Sequence, residues 1–283
     1  MVRSILLTGG GRGLGREMAL ALARDAHRLL LTSRSPDTLE ATARECRDLG
    51  AAEVDYLVAD LALPGEAERL ADAALDRFGQ IDVLVNNAGL GINTVSPDYL
   101  TNPYRFWRSD RATIETYFAV NAIAPLILAI RLVGPMIERG WGRIVADTTS
   151  LDTMLRTSLY GGSKSALEAE TAVMANDLAG TGVTANVLVP GGGCGSRMTD
   201  EMGLPRSAVL PPDIMGPPMA FLASDLSDGF NGRRIPARLW APALPPLAAA
   251  ALAGDVLAWT GCGIQGHQPE AARLSQPGQY ARG

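Results

Sequence analysis

Short apolar segments alternate with longer amphipathic segments through most of this 283-residue chain. The segments SILLTGG, HRLLLTSR, VDYLVADL and IDVLVNNAG have the length of buried strands, and helical stretches such as EMALALARDA and EAERLADAALDRFG separate them. Apolar strands that alternate with amphipathic helices are typical of a parallel sheet covered by helices on both faces. The sequence therefore predicts an α/β fold with one doubly wound parallel sheet.

The same alternation continues in the second half of the chain. It predicts a helix from about Thr113 to Glu138, a strand at GRIVADTT, a helix from about Lys164 to Ala179 and a strand at TANVLVPG. No long linker separates two domains. We therefore predict one domain over residues 1–240, with an insertion at about residues 92–112, and an Ala- and Pro-rich C-terminal extension over residues 241–283.

Composition and charge argue against several classes of partner. The formal net charge of −5 disfavours nucleic-acid binding, which needs a basic face. Prolines and Asp255 interrupt the apolar run from Ala241 to Trp259, so a membrane span is not expected there, and the first apolar run is too short for a signal peptide. The 3 cysteines lack CxxC spacing, so we expect no metal site and a cytoplasmic protein.

A glycine-rich turn, TGGGRGLG, lies between the first predicted strand and the first predicted helix, from Thr8 to Gly15. Glycines in this position allow a tight turn and let backbone N–H groups approach a pyrophosphate, while the helix N-terminus adds partial positive charge. The order of strand, glycines and helix therefore predicts a dinucleotide-binding site.

One lysine, Lys164, stands among 25 Lys and Arg residues, and Tyr160 precedes it by four positions in YGGSK. Residues at i and i+4 lie on one face of a helix, so the two side chains are expected to point the same way. A lysine ammonium has a pKa that its surroundings can shift, whereas a guanidinium stays charged. The pair is a candidate for acid–base chemistry. The alternative is a single lysine kept by chance on a solvated surface.

Taken together, these motifs resemble those of the short-chain dehydrogenase/reductase family. The resemblance runs in collinear order from about residue 3 to residue 235. Its elements are TGxxxGxG at Gly9, Gly13 and Gly15, Asp60 in VADL, NNAG at 86–89, Asn121, the YxxxK pair, and PG at 190–191. The resemblance implies a single Rossmann-like domain that binds a nicotinamide cofactor.

The resemblance also assigns roles to individual residues. Asp60 matches the position that meets the adenine, and Ser196 is the nearest match to the residue that bonds the nicotinamide carboxamide. The expected cofactor-binding residues are Gly9, Gly11, Arg12, Gly13, Leu14, Gly15, Ser33, Arg34, Asp60, Leu61, Asn87, Ala88, Gly89, Tyr160, Lys164, Val189, Pro190, Gly191 and Ser196.

The end of the second strand bears on which nicotinamide cofactor is used. An acidic residue there would bind the ribose hydroxyls of NAD and repel an additional phosphate. This chain has Ser33 and Arg34 instead, and Arg12 lies within the glycine turn. A charge-assisted hydrogen bond contributes about 1.5–3 kcal/mol, so the sequence predicts NADP(H) in preference to NAD(H). The alternative is that either arginine points into water.

Four or five residues are expected to carry the chemistry. Hydride delivery to a carbonyl carbon needs a proton donor at the oxygen, and Tyr160 fits that role. A cation at about 4 Å is worth roughly 4 kcal/mol at an effective dielectric of 20, so Lys164 is expected to lower the pKa of Tyr160 toward the working pH. Asn121 matches the family's asparagine, which supports the proton relay.

Two residues are candidates for the hydroxyl that orients the carbonyl. The family's serine usually lies twelve or thirteen residues before the tyrosine, yet the residue thirteen positions before Tyr160 is Asp147. Alignment on the strand places Thr149 or Ser150 there, and we favour Ser150 slightly. For both residues the structural alternative is a hydrogen bond to their own backbone at a strand end.

Two segments are candidates for the walls of a substrate pocket. The insertion contains Tyr99, Tyr104, Phe106 and Trp107, which either form a wall or lid or pin the insertion onto the body. The second candidate is the segment Cys194–Leu210. The apolar stretch AVNAIAPLILAIRLV and the helix that begins at Lys164 correspond to subunit contacts in the family, so a homotetramer, or else a dimer, is expected.

The favoured function is that of an NADP(H)-dependent oxidoreductase that interconverts a carbonyl and a secondary alcohol, with Tyr160 as general acid and base. One alternative is a non-redox enzyme on the same scaffold, such as an epimerase, a lyase or a dehalogenase-like enzyme. Another is a nucleotide-sensing binding protein. Lys164 and the complete glycine turn argue against the dehalogenase, in which arginine typically replaces the lysine.

Overall fold

One eight-stranded sheet forms the centre of the described structure, a computed structural model that covers residues 1–99 and 101–258. The sheet order is β3-β2-β1-β4-β5-β6-β7-β8. Its strands are β1 (Ser4–Thr8), β2 (Arg28–Ser33), β3 (Glu53–Val58), β4 (Val83–Asn86), β5 (Gly142–Asp147), β6 (Val183–Val189), β7 (Arg233–Pro236) and β8 (Asp255–Val256). Strands β1 to β7 are parallel and β8 is antiparallel to β7, so the predicted doubly wound parallel sheet is confirmed.

Helices cover both faces of this sheet. They are α1 (Gly13–Arg24), α2 (Pro36–Asp48), α3 (Glu66–Phe78), α4 (Arg111–Phe118), α5 (Ala124–Arg139), α6 (Leu151–Arg156), α7 (Tyr160–Asp177), α8 (Arg197–Glu201), α9 (Gly216–Leu222) and α10 (Pro246–Ala253). One core packs α1, α2, α9 and α10 against the sheet, and the core on the other face packs α3, α5 and α7. The near-continuous burial of the central strands follows from this double cover.

The strand order places a crevice at the carboxyl ends of β1 and β4. Connections from β1 run outward to β2 and β3, and the chain then crosses to the other side of β1 and continues through β4, β5 and β6. In open α/β sheets, ligands bind where the order reverses in this way, beyond the carboxyl ends of the strands. The glycine turn follows β1 and therefore lies at this position.

Two helices differ in detail from the sequence-based expectation. Helix α7 begins at Tyr160, one turn earlier than predicted, so Tyr160 and Lys164 lie on the same helix. The predicted helix from about Thr113 to Glu138 is present as α4 and α5, joined by a π-helical turn at Ala119–Ile123. Asn121 lies in this turn, and its side chain forms hydrogen bonds with a residue outside the helix.

The run Arg111–Arg139 has the length and apolarity of a membrane span. In this fold its α5 part packs against α3 and the sheet, and the buried residues include Leu128, Leu132 and Met136. Burial of a core helix on a sheet produces the same apolar composition.

The C-terminal extension joins the body as far as the structure describes it. Helix α10 packs its buried alanines beside α9, and β8 adds the antiparallel edge strand. Residues 259–283 lie outside the described residues, and the proposed boundary at residue 240 stays a prediction. The insertion contains two short 3-10 turns, Ile92–Thr94 and Phe106–Arg108, and the described residues between them form no α-helix.

The turn before β6 provides a test of backbone strain. Gly180 and Gly182 both have φ near +82, but a Cβ at Gly182 would lie 2.0 Å from the Gly140 carbonyl oxygen, whereas one at Gly180 would meet nothing within 4 Å. Gly182→Ala is expected to lower the free energy of unfolding by about 2 kcal/mol more than Gly180→Ala, measured by urea denaturation. Equal losses in the two variants would show that the turn relaxes without cost.

Candidate active site

A cleft of about 1080 Å³ lies beyond the carboxyl ends of the central strands. Its lining comes from the glycine turn, the ends of β2 to β5, helix α7 and the loop that follows β6. The cleft is therefore at the crevice that the strand order predicts.

The glycine turn is held tightly against the end of β4. Asn87 Nδ2 donates to the Thr8 carbonyl at 2.7 Å and to the Gly9 carbonyl at 3.2 Å, and the Thr8 hydroxyl accepts from the Asn87 and Ala88 amides at 3.0 Å each. A Cβ at Gly15 would lie 2.2 Å from the Gly9 oxygen. Only glycine fits at Gly15, because the start of α1 approaches the backbone of the turn so closely.

This cradle fits the pyrophosphate of a dinucleotide. Gly13 has φ +55, and helix α1 begins there with no side-chain cap at Arg12, which leaves the first amides of the helix for a ligand. The fit rests on backbone groups that a larger side chain would cover.

The structure brings most of the predicted cofactor residues together, and their roles stay predictions. Those that line the cleft are Gly9, Gly11, Arg12, Gly13, Leu14, Gly15, Ser33, Arg34, Asp60, Leu61, Asn87, Ala88, Gly89, Tyr160, Lys164, Pro190 and Ser196. Val189 is buried in β6, and Gly191 packs against the Arg238 side chain. These two residues therefore do not line the cleft, whereas Pro190 between them does.

Three arginines lie together on the rim of the cleft: Arg12, Arg34 and Arg197. Partial burial and repulsion from Arg197 and Arg34 lower the pKa of Arg12, and the Glu201 carboxylate opposes this shift. A concentration of positive charge at one end of the cleft attracts an anionic ligand. Arg197 was not among the predicted cofactor residues, since a single arginine in the loop after β6 gave only a weak signal.

Tyr160 and Lys164 lie at the other end of the cleft and are 8% and 3% exposed. Lys164 Nζ donates to the Asp147 carbonyl at 2.7 Å, which ties α7 to the end of β5. Burial lowers the pKa of Lys164, and the Asp147 carboxylate opposes that shift. A Cβ at Gly89 would lie 3.2 Å from Lys164 Nζ, so glycine at this position leaves space for the ammonium group.

The predicted lowering of the Tyr160 pKa by Lys164 is not found in the structure. Burial raises the pKa of Tyr160, the Asp147 carboxylate raises it further, and a hydrogen bond with the Thr149 side chain lowers it. The first two effects exceed the third, because the phenol is almost fully removed from water. Burial therefore keeps Tyr160 protonated and makes it a weaker acid than a phenol in water.

Thr149 and Ser150 both line the cleft, and the Thr149 side chain is the one that acts on the pKa of Tyr160, so the choice between them stays a prediction. The Ser150 hydroxyl caps helix α6, where it accepts from the Thr153 amide at 3.2 Å and lies 2.7 Å from the Thr153 hydroxyl. The sequence could not distinguish them, because the short helix α6 that engages Ser150 was not predicted.

Asn121 is fully buried beside the cleft and does not line it. Its Oδ1 accepts from the Leu90 amide at 2.7 Å, and its Nδ2 donates to the Leu90 carbonyl at 3.1 Å and to the Ser163 hydroxyl at 2.9 Å. These bonds hold the π-helical turn against the loop after β4 and against α7. A Cβ at Gly89 would lie 3.2 Å from Asn121 Oδ1, so Asn121 is close to the site that Lys164 occupies.

A buried ion pair that the sequence analysis missed supports Thr149. Arg234 on β7 pairs with Glu168 on α7, and its second terminal nitrogen donates to the Thr149 carbonyl. Glu168 Oε2 also accepts from the Thr148 hydroxyl at 2.8 Å. The only signal in the sequence was a charged residue within each apolar element, and the sequence did not show that the two would meet.

The two predicted walls contribute unequally. The insertion lines the cleft through Ile92 to Thr94 and Pro97, whereas Phe106 and Trp107 are 73% and 69% exposed and lie away from it. The expectation that these two rings form a wall or lid is therefore wrong for the described conformation. In the segment Cys194–Leu210, the lining includes Met198 and Met202, which give this wall an apolar surface.

Comparison with known proteins agrees with the geometry of the cleft. The profile of the short chain dehydrogenase family matches residues 3–205. The ketoacyl reductase HetN of Nostoc sp. is 34% identical over 191 residues, which are 67% of this chain and 63% of that protein, so the chain spans less than two thirds of this relative. The 1-deoxy-11-beta-hydroxypentalenate dehydrogenase of Streptomyces exfoliatus is 31% identical over 79% of this chain and 80% of its own length.

A solved structure gives the same result for the fold. A metagenomic short-chain oxidoreductase in complex with NADP superposes with a TM-score of 0.64 at 25% identity, over 78% of this chain and 90% of that chain. The chain belongs to the short-chain dehydrogenase family. These relatives are named as a reductase and a dehydrogenase, the class of enzyme that the sequence analysis predicted.

The Arg234–Glu168 pair gives a stability prediction. Arg234→Met leaves the Glu168 carboxylate buried without its partner, which costs about 3–5 kcal/mol in the free energy of unfolding. Replacing both residues, as Arg234→Met with Glu168→Leu, is expected to restore a large part of this loss. Urea denaturation measures both effects.

The matched control removes an exposed ion pair. Arg131→Met disrupts the pair with Asp72, in which both side chains are about half exposed, and is expected to cost at most about 1 kcal/mol. If Arg234→Met were no more costly than Arg131→Met, the buried pair would not hold the end of β5 in place.

Proposed function

We propose that this protein reduces a carbonyl compound to a secondary alcohol, or catalyses the reverse reaction, with NADP(H). The observation that carries the proposal is that Tyr160, Lys164 and Thr149 line the same cleft as the glycine cradle. Hydride transfer at the substrate carbon is the chemistry that a bound nicotinamide supplies. The chain must then supply a proton and hold the carbonyl oxygen.

Tyr160 and Thr149 provide these two functions in the proposal. Burial keeps Tyr160 protonated, and in the proposal its hydroxyl donates this proton to the carbonyl oxygen as negative charge develops there during reduction. The phenolate that remains is the base that accepts the proton during oxidation. The Thr149 hydroxyl orients the same oxygen. Lys164 donates to the Asp147 carbonyl, and this bond fixes the ammonium one helical turn from Tyr160.

The residues in the walls of the cleft indicate the general character of the substrate. Met198, Met202 and Ile92 favour an apolar group beside the reacting carbon, since flexible methionine side chains adapt to varied apolar shapes. One relative is named as a ketoacyl reductase and another as a 1-deoxy-11-beta-hydroxypentalenate dehydrogenase, which supports a carbonyl or alcohol substrate.

Assembly and localisation are also proposals. Three isoleucines recur every seven residues, Ile123 at the end of the π-helical turn and Ile130 and Ile137 on α5, and they are 52%, 63% and 42% exposed. An exposed apolar stripe of this kind supports a homo-oligomer, either a tetramer or a dimer. Two of the three cysteines, Cys46 and Cys194, are free and buried, which supports a reducing, cytoplasmic setting.

Loss of the Tyr160 hydroxyl tests the proposed chemistry. Tyr160→Phe is expected to lower kcat by about 10²–10⁴-fold with a panel of ketones and aldehydes, because general acid catalysis contributes a factor of this size. NADPH binding, followed by nicotinamide fluorescence, should change little. Absorbance decay of NADPH measures the turnover.

The matched control is another buried tyrosine nearby. The Tyr117 hydroxyl donates to the Gly91 carbonyl at 2.8 Å, and Tyr117→Phe is expected to keep turnover within a few-fold. Comparable losses in both variants would mean that the defect is structural. Absence of binding by any nicotinamide nucleotide would refute the proposal.

The arginines on the rim test the cofactor preference. Removal of one charge-assisted hydrogen bond to the 2′-phosphate is expected to raise the Kd for NADPH about tenfold in Arg34→Ala or Arg12→Ala, with little change in the Kd for NADH. Arg44→Ala, an exposed arginine on α2, is the control. Equal weakening of NADPH and NADH binding would contradict a role in recognising the phosphate.

A further inference from the structure

Asp147 is a buried carboxylic acid in the wall of the cleft, and none of the proposed catalytic steps uses its side chain. It lies at the carboxyl end of β5, is 8% exposed and lines the cleft. Its Oδ1 has no hydrogen-bond partner among the described residues. Lys164 binds the backbone oxygen of this residue, so the carboxylate remains available to a ligand.

Strand geometry determines the direction of this side chain. Alternate residues of a strand project to opposite faces, and Val145 packs in the core that contains α1, whereas Ala146 packs in the opposite core. Asp147 therefore projects from the same face as Val145, toward the side on which the glycine turn begins α1. Thr148 projects to the opposite side, where it bonds Glu168.

Charged and titratable groups face Asp147 from three elements. Lys164 and Tyr160 lie on α7, Arg234 lies on β7, and Cys194 follows β6. Burial raises the pKa of Asp147 to about 7, against the opposing effect of the Lys164 and Arg234 cations. The carboxyl group therefore changes its charge close to neutral pH.

We propose that the Asp147 carboxylate is an electrostatic partner of the oxidised nicotinamide ring and sets how strongly the protein prefers oxidised over reduced cofactor. The inference rests on the proposed function, which places the nicotinamide at the end of the cleft that holds Tyr160 and Lys164. The oxidised ring carries one positive charge and the reduced ring carries none. A buried carboxylate at this end attracts the oxidised form alone.

The ratio of the two affinities isolates this interaction. Oxidised and reduced cofactor share the adenosine, the pyrophosphate and the 2′-phosphate, so contacts with these groups cancel in the ratio, including any effect of pH on the phosphate. As pH rises and Asp147 loses its proton, the affinity for NADP⁺ increases relative to that for NADPH. We expect the ratio Kd(NADP⁺)/Kd(NADPH) to fall about tenfold between roughly pH 5.5 and 8.5, equivalent to about 1.4 kcal/mol.

The experiment measures both Kd values of the intact protein across this pH range, by NADPH fluorescence and by calorimetry for NADP⁺. The wild type is compared with Asp147→Asn, which has the same shape and no charge. Lys164 also titrates in the cleft, and a change due to Lys164 would persist in this variant. Asp152→Asn on α6, whose side chain is 66% exposed, is the matched control and should behave as the wild type does.

The outcomes separate the two proposals. A ratio that falls with pH in the wild type and in Asp152→Asn, but is constant in Asp147→Asn, supports the inference. If both nucleotides bind and the ratio of their Kd values in the wild type does not depend on pH, the inference is overturned and the proposed function is left intact. A dependence that persists in Asp147→Asn also overturns it. If neither nucleotide binds, the proposed function fails together with this inference.

A second variant covers the case in which Asp147→Asn does not fold. Asp147→Ser is neutral and smaller, so it removes the charge without crowding the cleft. It should show the same constant ratio. If it retains the pH dependence of the wild type, Asp147 does not act on the cofactor.

Discussion

The carboxyl end of β5 holds the polar contacts on which the rest of the site depends. Three successive residues there bind two different elements, helix α7 and strand β7. The Asp147 carbonyl accepts from Lys164 Nζ, the Thr148 hydroxyl donates to Glu168 on the same helix, and the Thr149 carbonyl accepts from Arg234 on β7. Because these groups are buried, each unmade bond would cost the full desolvation of its partner. The position of the Thr149 hydroxyl relative to Tyr160 is thus fixed from two sides.

Residues close together in the sequence made most of the fold predictable. The alternation of apolar and amphipathic segments is a local pattern, and it correctly predicted the parallel sheet. The glycine turn was also predictable, since steric limits at Gly15 act within one strand, turn and helix. What could not be predicted depends on contacts between distant segments. Arg234 and Glu168 are 66 positions apart, and neither residue alone indicates a partner.

Short elements account for what the sequence could not decide at the site. A helix of only six residues, Leu151–Arg156, takes the Ser150 hydroxyl as its cap, so a choice between Ser150 and Thr149 depended on an element too short to show periodicity. The direction in which the aromatic side chains of the insertion point could not be predicted either. Rings in a loop can face a cleft or the solvent, and composition does not distinguish these positions for Phe106 and Trp107.

Charge is divided between the two ends of the cleft. Arginines gather at the rim near the glycine turn, while the only described lysine is buried at the other end, close to an aspartate. A guanidinium stays charged wherever it lies, which suits the binding of a fixed anion at an exposed rim. Burial disfavours the charged form of Lys164 and so lowers its pKa, and the nearby Asp147 carboxylate opposes this shift. The one lysine of the chain therefore lies beside two other ionisable groups, Tyr160 and Asp147.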